Sequence, residues 1–210
     1  AIPVGLQAGW PDGYTSELCL ELPAWLQTAA SWLAAGTALI FDYGFPRHEY
    51  FLPERFSGTL RCYYRHRAHE NPFLWPGLQD LTAWVDFSLL AESAITAGFE
   101  LTGYTTQANF LLASGIDQRV TKQSPDPRAH VAMAAGLRQL LLPGEMGESV
   151  KVISLSRGGA VAPEVPPGAG GLRRRPGSDP PQVRVRALLE LQGADPGHPP
   201  AALAQPCPGR

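Results

Sequence analysis

The sequence predicts an α/β fold laid out as one side of an open sheet, with a separate tail behind it. Three observations predict it. Helix-like and strand-like patterns alternate across residues 1–158. A short apolar run, Thr37-Ala-Leu-Ile-Phe41, suits a parallel strand buried on both faces. After Gly158 the composition turns to Ala, Pro, Gly and Arg. Residues 160–210 hold 11 of the 21 prolines and no aromatic residue, so they bury too little apolar surface to offset their ordering entropy. The domain is therefore expected over residues 1–158, and residues 159–210 as a disordered tail. The run Arg173, Arg174, Arg175 reads as a basic interaction segment, as an end without a role, or as the product of a shifted reading frame.

The elements follow in order. Pro23 to Ala35 is a helix, with proline in its first turn and Gly36 as its stop. Trp25, Ala29, Trp32 and Leu33 share one face. The Thr37–Phe41 strand ends in Asp42-Tyr43-Gly44. Residues 45–82 form a long, loop-rich insertion. Asp86 caps a helix from Phe87 to Ala97, closed by Gly98. Phe99 to Thr105 alternates as a strand. Gln107 to Ser114 is a short helix ending at Gly115. Asp126-Pro127 opens a helix reaching about Leu142, and Ser149 to Leu155 is the last strand.

Composition removes several functions. The chain has 210 residues, is 44% apolar and carries a formal net charge of -2, so no nucleic-acid-binding surface is implied. No run reaches the roughly 18 to 20 apolar residues of a membrane helix, and no charged-then-apolar leader opens the chain at Ala1. Cys19, Cys62 and Cys207 are odd in number and scattered, which fits a reducing compartment.

In open α/β sheets ligands sit beyond the carboxyl ends of the strands. That places Asp42, Tyr43 and Gly44 at a ligand edge, with the glycine allowing a sharp turn; an ordinary strand-to-loop turn has the same composition. The insertion packs Arg47, His48, Glu49, Glu54, Arg55, Arg61, Arg65, His66, Arg67, His69, Glu70 and Asp80 among aromatic residues. A loop this long in a compact domain is a lid or a disordered segment, and its aromatics favour the lid. Cys62, His66 and His69 lack a fourth metal ligand and match no standard zinc spacing, so no metal is expected. Cys62 with His66 also reads as a nucleophile and base, against a plain buried cysteine. No P-loop, G-x-G-x-x-G or G-x-S-x-G segment is present.

A family resemblance rests on an ordered series of segments. They are Gly36 to Gly44 (GTALIFDYG), Glu49-Tyr50 with Pro53 and Arg55, Gly58-Thr-Leu60, His66-Arg67 with His69, and Pro76-Gly77 with Gln79-Asp80. Val85-Asp86-Phe87, Gly103, Thr106-Gln107 and Phe110-Leu111 continue it, and Gly13 to Glu17 precedes it. The series resembles the MidA-type, S-adenosylmethionine-dependent methyltransferases, relatives of a mitochondrial complex I assembly methyltransferase. The resemblance covers residues 13–157. It implies the C-terminal half of a Rossmann-like class I methyltransferase sheet with a lid insertion. The family's glycine-rich cofactor loop lies upstream of anything present, so this segment alone is expected to be inactive. Trp84 stands where the family has His, and Ser149 where it has an aromatic.

The resemblance implies S-adenosyl-L-methionine as cofactor and a protein arginine as acceptor. Asp42 and Glu49 would then orient the guanidinium, and His66 would take the departing proton. Glu17, Tyr43, Gly44, Tyr50, Arg55 and Asp80 would line the pocket, with the tyrosines stacking on the cation. The expected partner is a protein substrate, with no nucleic acid and no membrane. The expected compartment is a bacterial cytoplasm, with the mitochondrial matrix as alternative. The competing reading is a non-catalytic assembly factor or protein-binding module.

Overall fold

The computed structural model describes residues 4–7, 9–121 and 127–160. The tail expected at 159–210 lies almost wholly outside them. In chain order the elements are helices α1 (Val4–Gln7) and α2 (Leu22–Trp32), strand β1 (Gly36–Phe45), helix α3 (Arg47–Tyr50) and a 3-10 turn at Pro53–Arg55. Strands β2 (Arg61–Tyr64), β3 (Arg67–His69), β4 (Asp80–Thr82) and β5 (Val85–Asp86) follow, then helix α4 (Phe87–Thr96) and strand β6 (Glu100–Thr106). Helices α5 (Gln107–Ala113), α6 (Ile116–Thr121), α7 (Pro127–Leu141) and α8 (Met146–Ser149) lead into strand β7 (Val150–Arg157).

The main sheet has the order β5-β1-β7-β6. β7 lies antiparallel to both neighbours, from Gly36↔Arg157 to Tyr43↔Val150 on one side and from Glu100↔Ser156 to Thr106↔Lys151 on the other. β1 and β6 therefore run in the same direction. The parallel pairing expected for β1 is confined to Gly44↔Val85 and Phe45↔Asp86; its long partner is antiparallel. The strand also runs on to Phe45, so Asp42, Tyr43 and Gly44 lie inside it rather than in a turn after it. Gly44 serves a close approach: a Cβ there would sit 2.2 Å from the Val85 carbonyl oxygen and 2.9 Å from the Phe87 ring.

Apolar side chains cover both faces of this sheet, as its unbroken apolar runs require. Ala38, Ile153 and Leu155 pack under α2 and α4 with Leu26, Phe87, Leu90 and Phe99. Leu39 and Val152 pack on the other face with Phe41 and Phe110. The Phe41 and Phe110 rings meet edge to face at 5.2 Å. Within that interior, Thr102 Oγ1 bonds the Ser154 and Ser156 hydroxyls at 2.5 and 3.2 Å, and Thr37 reaches Ser156 at 2.9 Å. The hydroxyls satisfy one another, which makes their burial tolerable.

The insertion is more ordered than a loop-rich lid. Its β3-β2-β4 strands form a small antiparallel sheet. Arg65 and His66, with φ of 48° and 63°, make the two-residue turn between β2 and β3. Cys62 is fully buried and sits opposite His69 in the ladder.

Asp86 caps α4 as expected. Its Oδ1 accepts from the Ser88 and Leu89 amides at 2.9 and 3.0 Å, and its Oδ2 lies 3.3 Å from Arg47 Nε. Arg47 also pairs both terminal nitrogens with Glu92, at 2.8 and 2.7 Å. One arginine thus fastens α3 to the first turns of α4. Asp86→Ala is expected to lower the unfolding free energy by about 1–2 kcal/mol. The readout is a lower urea midpoint at unchanged slope.

Candidate functional site

Two recesses flank the carboxyl-end half of β1. The first, a groove of about 480 Å³, runs along the outer edge of β1 and is lined by Glu17, Leu22, Trp25, Asp42, Tyr50 and Trp84, among others. The second, a cleft of about 420 Å³, lies where β1 and β6 end and β7 begins, with Glu49, Tyr104, Thr105 and Lys151 in its walls. The expected site residues divide between them. Asp42 opens into the groove and Glu49 into the cleft.

The groove's outer wall is held by Glu17. Its Oε1 accepts from the Thr59 and Leu60 amides at 2.8 and 2.7 Å. Its Oε2 lies 3.3 Å from both the Tyr50 and Thr59 hydroxyls. Thr59 Oγ1 in turn accepts from the Trp84 amide at 3.0 Å, and the Tyr50 hydroxyl lies 3.0 Å from the Trp84 carbonyl. Glu17 and Tyr50 are thus brought together, but the carboxylate is filled by the protein's own donors. It builds the wall, with the Thr59 and Leu60 amides and the Thr59 hydroxyl on it and the single Tyr50 proton shared with the Trp84 carbonyl. Gly58 makes this approach possible, because its φ is +71° and a Cβ would lie 2.2 Å from Glu17 Oε1.

Asp42 is freer. Its Oδ1 accepts only the neighbouring Tyr43 amide, at 2.7 Å. Packing around its base raises its carboxyl above the ordinary value of 3.8, against the pull of that amide. Tyr43 lies 6.2 Å from the Trp84 ring, and Phe45 lies 4.9 Å from it. Arg55 stacks its guanidinium 3.9 Å over Phe45 and donates Nε to the Glu49 carbonyl at 3.0 Å. Burial lowers its pKa, partly offset by Glu49. The Arg55 side chain is therefore a clamp between α3 and the aromatic wall.

The remaining expected residues lie apart. His66 stands exposed at the tip of the β2–β3 hairpin, where its backbone makes the turn. Asp80 is exposed on β4 opposite Tyr63. The pairing of Cys62 with His66 is not made, since Cys62 faces His69 across the ladder. Among the described residues no cluster of His, Cys, Asp or Glu is arranged to hold a metal ion. Sequence reading gave no site role to Arg47, Trp84, Tyr104, Thr105 and Lys151. The last three carried a usable signal, since Thr105 closes one strand and Lys151 opens another at the same sheet edge.

The strand-to-helix junctions do not supply an anion cradle. Pro46 has no amide to offer, the Arg47 amide is taken by Ser88 Oγ at 3.0 Å, and Asp86 takes the first amides of α4. Thr106 Oγ1 accepts the Asn109 amide of α5. A carboxylate or phosphate needs such amides unoccupied. Among the described residues these junctions therefore offer no free amide cradle for an anion.

Residues 2–105 match the profile of a family described as S-adenosyl-L-methionine-dependent methyltransferases. The chain is 36% identical over 143 residues to the mitochondrial protein arginine methyltransferase NDUFAF7 of Danio rerio, covering 66% of this chain and 32% of that protein. It is 33% identical over 144 residues to the same-named protein of Mus musculus, covering 66% and 31%. It is also similar to a Burkholderia thailandensis protein solved bound to S-adenosyl-homocysteine. The identity there is 44%, the TM-score 0.68, and the coverage 73% of this chain and 40% of that one. The chain thus spans about a third of the length of the curated relatives it matches. Among the described residues no helix is long and apolar enough to cross a membrane.

Two outcomes follow from the Glu17 anchor. Gly58→Ala is expected to destabilise the insertion by about 1–3 kcal/mol, seen as faster hydrogen exchange at the Thr59 and Leu60 amides. Burial, with Glu17 adding to it, raises the Tyr50 phenol from 10.0 to about 12. Folding therefore favours the neutral phenol. That contribution is complete below pH 10 and is lost as pH rises through about 12. The stability gap between wild type and Tyr50→Phe should shrink across that window.

Proposed function

The chain belongs to the S-adenosyl-L-methionine-dependent methyltransferase family, and we propose that it carries the acceptor side of an enzyme that methylates a protein arginine. The observation behind this reading is a carboxylate and an aromatic residue in each recess at the carboxyl-end half of β1, Asp42 with Trp84 in the groove and Glu49 with Tyr104 in the cleft. A guanidinium is planar, cationic and rich in donors. Carboxylates orient it and offset its charge, and aromatic faces hold it flat.

The cofactor supplies the methyl group on a sulfonium. The protein's part is to place the acceptor nitrogen and exclude competing water. In this reading the carboxylate of the recess that takes the arginine, Asp42 in the groove or Glu49 in the cleft, orients the acceptor. Tyr50 and Glu17 hold the wall, while Arg55 fixes the helix that carries Glu49. His66 has no part, because the hairpin tip leaves its ring in solvent. The curated relatives are named as mitochondrial, and the solved relative is bacterial.

One observation favours the alternative, a protein-binding module. Phe73, Leu78 and Leu81 of the insertion are 83%, 70% and 55% exposed, a concentration of apolar surface suited to a partner. The two readings separate on catalysis.

Because the chain spans 40% of the solved relative, the assay uses a fusion of this chain to the rest of that relative's sequence. Transfer of labelled methyl to arginine in a protein substrate is expected. The carboxylate of the occupied recess is the one whose neutral variant, Asp42→Asn or Glu49→Gln, should lower kcat/KM by roughly tenfold or more, the scale of a lost charge-assisted contact. Full kcat/KM in both variants would overturn the acid assignments; no transfer at all favours the binding module. Burial raises the Asp42 carboxyl above its ordinary value, so activity that uses the groove should fall as pH drops through that raised value, and Asp42→Asn should flatten this limb.

A further inference from the structure

The cleft at the ends of β1 and β6 contains two hydroxyls that the protein leaves unused. Thr105 is 1% exposed, and its Oγ1 is buried without a hydrogen-bond partner. The Tyr104 hydroxyl is buried without one as well. Both residues line the cleft. A buried hydroxyl without a partner is unfavourable, and folded proteins retain few of them. Tyr104 and Thr105 leave β6 on opposite faces, and both border the cleft where the strand ends, so it has an unused hydroxyl from each face at its border.

The charges around them say which kind. Glu49 and Glu148 line the same cleft, with Asn109 beside them. Lys151 is the single cation in its lining. Its ammonium already donates to the Glu148 carbonyl and lies 5.4 Å over the Phe45 ring. An anion entering here would meet two carboxylates against one engaged ammonium. A cation with several N–H donors would meet two carboxylates, two free hydroxyl oxygens and an amide oxygen. Burial, and then the field of Glu49, holds the Tyr104 phenol neutral, so it stays available to accept.

We propose that this cleft, rather than the groove at Asp42, seats the guanidinium of the arginine acceptor. The inference rests on the arginine reading above and adds the location and the residues. Glu49 is the charged contact, and Thr105 Oγ1 and Tyr104 Oη are the hydroxyl acceptors. Glu148 and Asn109 close the rim.

The test is a titration of the isotope-labelled chain with N-acetyl-arginine amide, followed by NMR. Its control ligand is the citrulline analogue, uncharged and of the same length. Saturable shifts are expected at the amides of Tyr104, Thr105, Asn109 and Lys151. The citrulline analogue should bind about tenfold more weakly or worse. Glu49→Gln should weaken binding to a similar degree. Thr105→Val, which leaves every charge in place, should weaken it several-fold and repeats the test should Glu49→Gln unfold. Glu100→Gln, at the far end of β6, should leave binding unchanged. Absence of saturable shifts, equal affinity for the citrulline analogue, or shifts centred on Asp42 and Trp84 would overturn the assignment. Binding retained without methyl transfer in the fusion removes the enzymatic reading alone. Methyl transfer without these shifts removes the cleft alone.

Discussion

Everything at the candidate site depends on β7 lying antiparallel between β1 and β6. A strand that entered parallel would put its own carboxyl end beside theirs. Because β7 runs the other way, it brings its first residues to that edge instead. Lys151 therefore stands opposite Asp42 on one side and Thr106 on the other. The pairing joins segments more than 100 residues apart in sequence, and closing so long a loop is an entropic cost. It is offset by burial: Val152, Ile153 and Leu155 are wholly buried, and their neighbours on β1 and β6 pack on both faces. Polar groups at the sheet edge can then be held in place by an apolar ladder that contributes no chemistry.

The same division explains what was legible in the sequence. The Asp86 cap was readable because an N-cap is a local contact between a side chain and amides two and three residues on. β1 was readable from its apolar run, but its direction relative to its neighbours was not. Parallel and antiparallel strands buried on both faces have the same composition. The three-stranded sheet in the insertion was missed for a related reason. Its strands are three or four residues long and its turn is Arg65-His66, with no glycine or asparagine to mark the positive φ.

At the site, sequence reading found the right residue types and paired them wrongly. Asp42 and Glu49 are seven positions apart and look like one acidic pair. One strand and the Pro46 junction intervene, and the alternation of side chains along β1 sends Asp42 to the face of Ala38 and Ile40. Glu17 and the Thr59–Leu60 pair are far apart in sequence and form the shortest polar contacts of the wall, at 2.8 and 2.7 Å. No local pattern predicts that contact, because its cause is the missing Cβ of Gly58 and a backbone loop that presents two amides together.

The outer edge of β1 carries the last consequence. Among the described residues, β1 is paired on that side only at Gly44 and Phe45. The edge from Gly36 to Tyr43 faces the groove, whose other lining includes Leu18, Leu22 and Trp25. An apolar strand edge in this condition is a template for another strand. Asp42 sits on that edge, and its carboxyl is already raised by partial burial. Any chain that pairs there changes its surroundings in two opposed ways. Added burial raises the carboxyl further, while added amide donors lower it. The ionisation of Asp42 is thus coupled to what occupies the edge. Glu49 lies in the cleft instead. The two acids look alike in sequence, yet they line different recesses: Asp42 the groove, and Glu49 the cleft that Tyr104 and Thr105 also border.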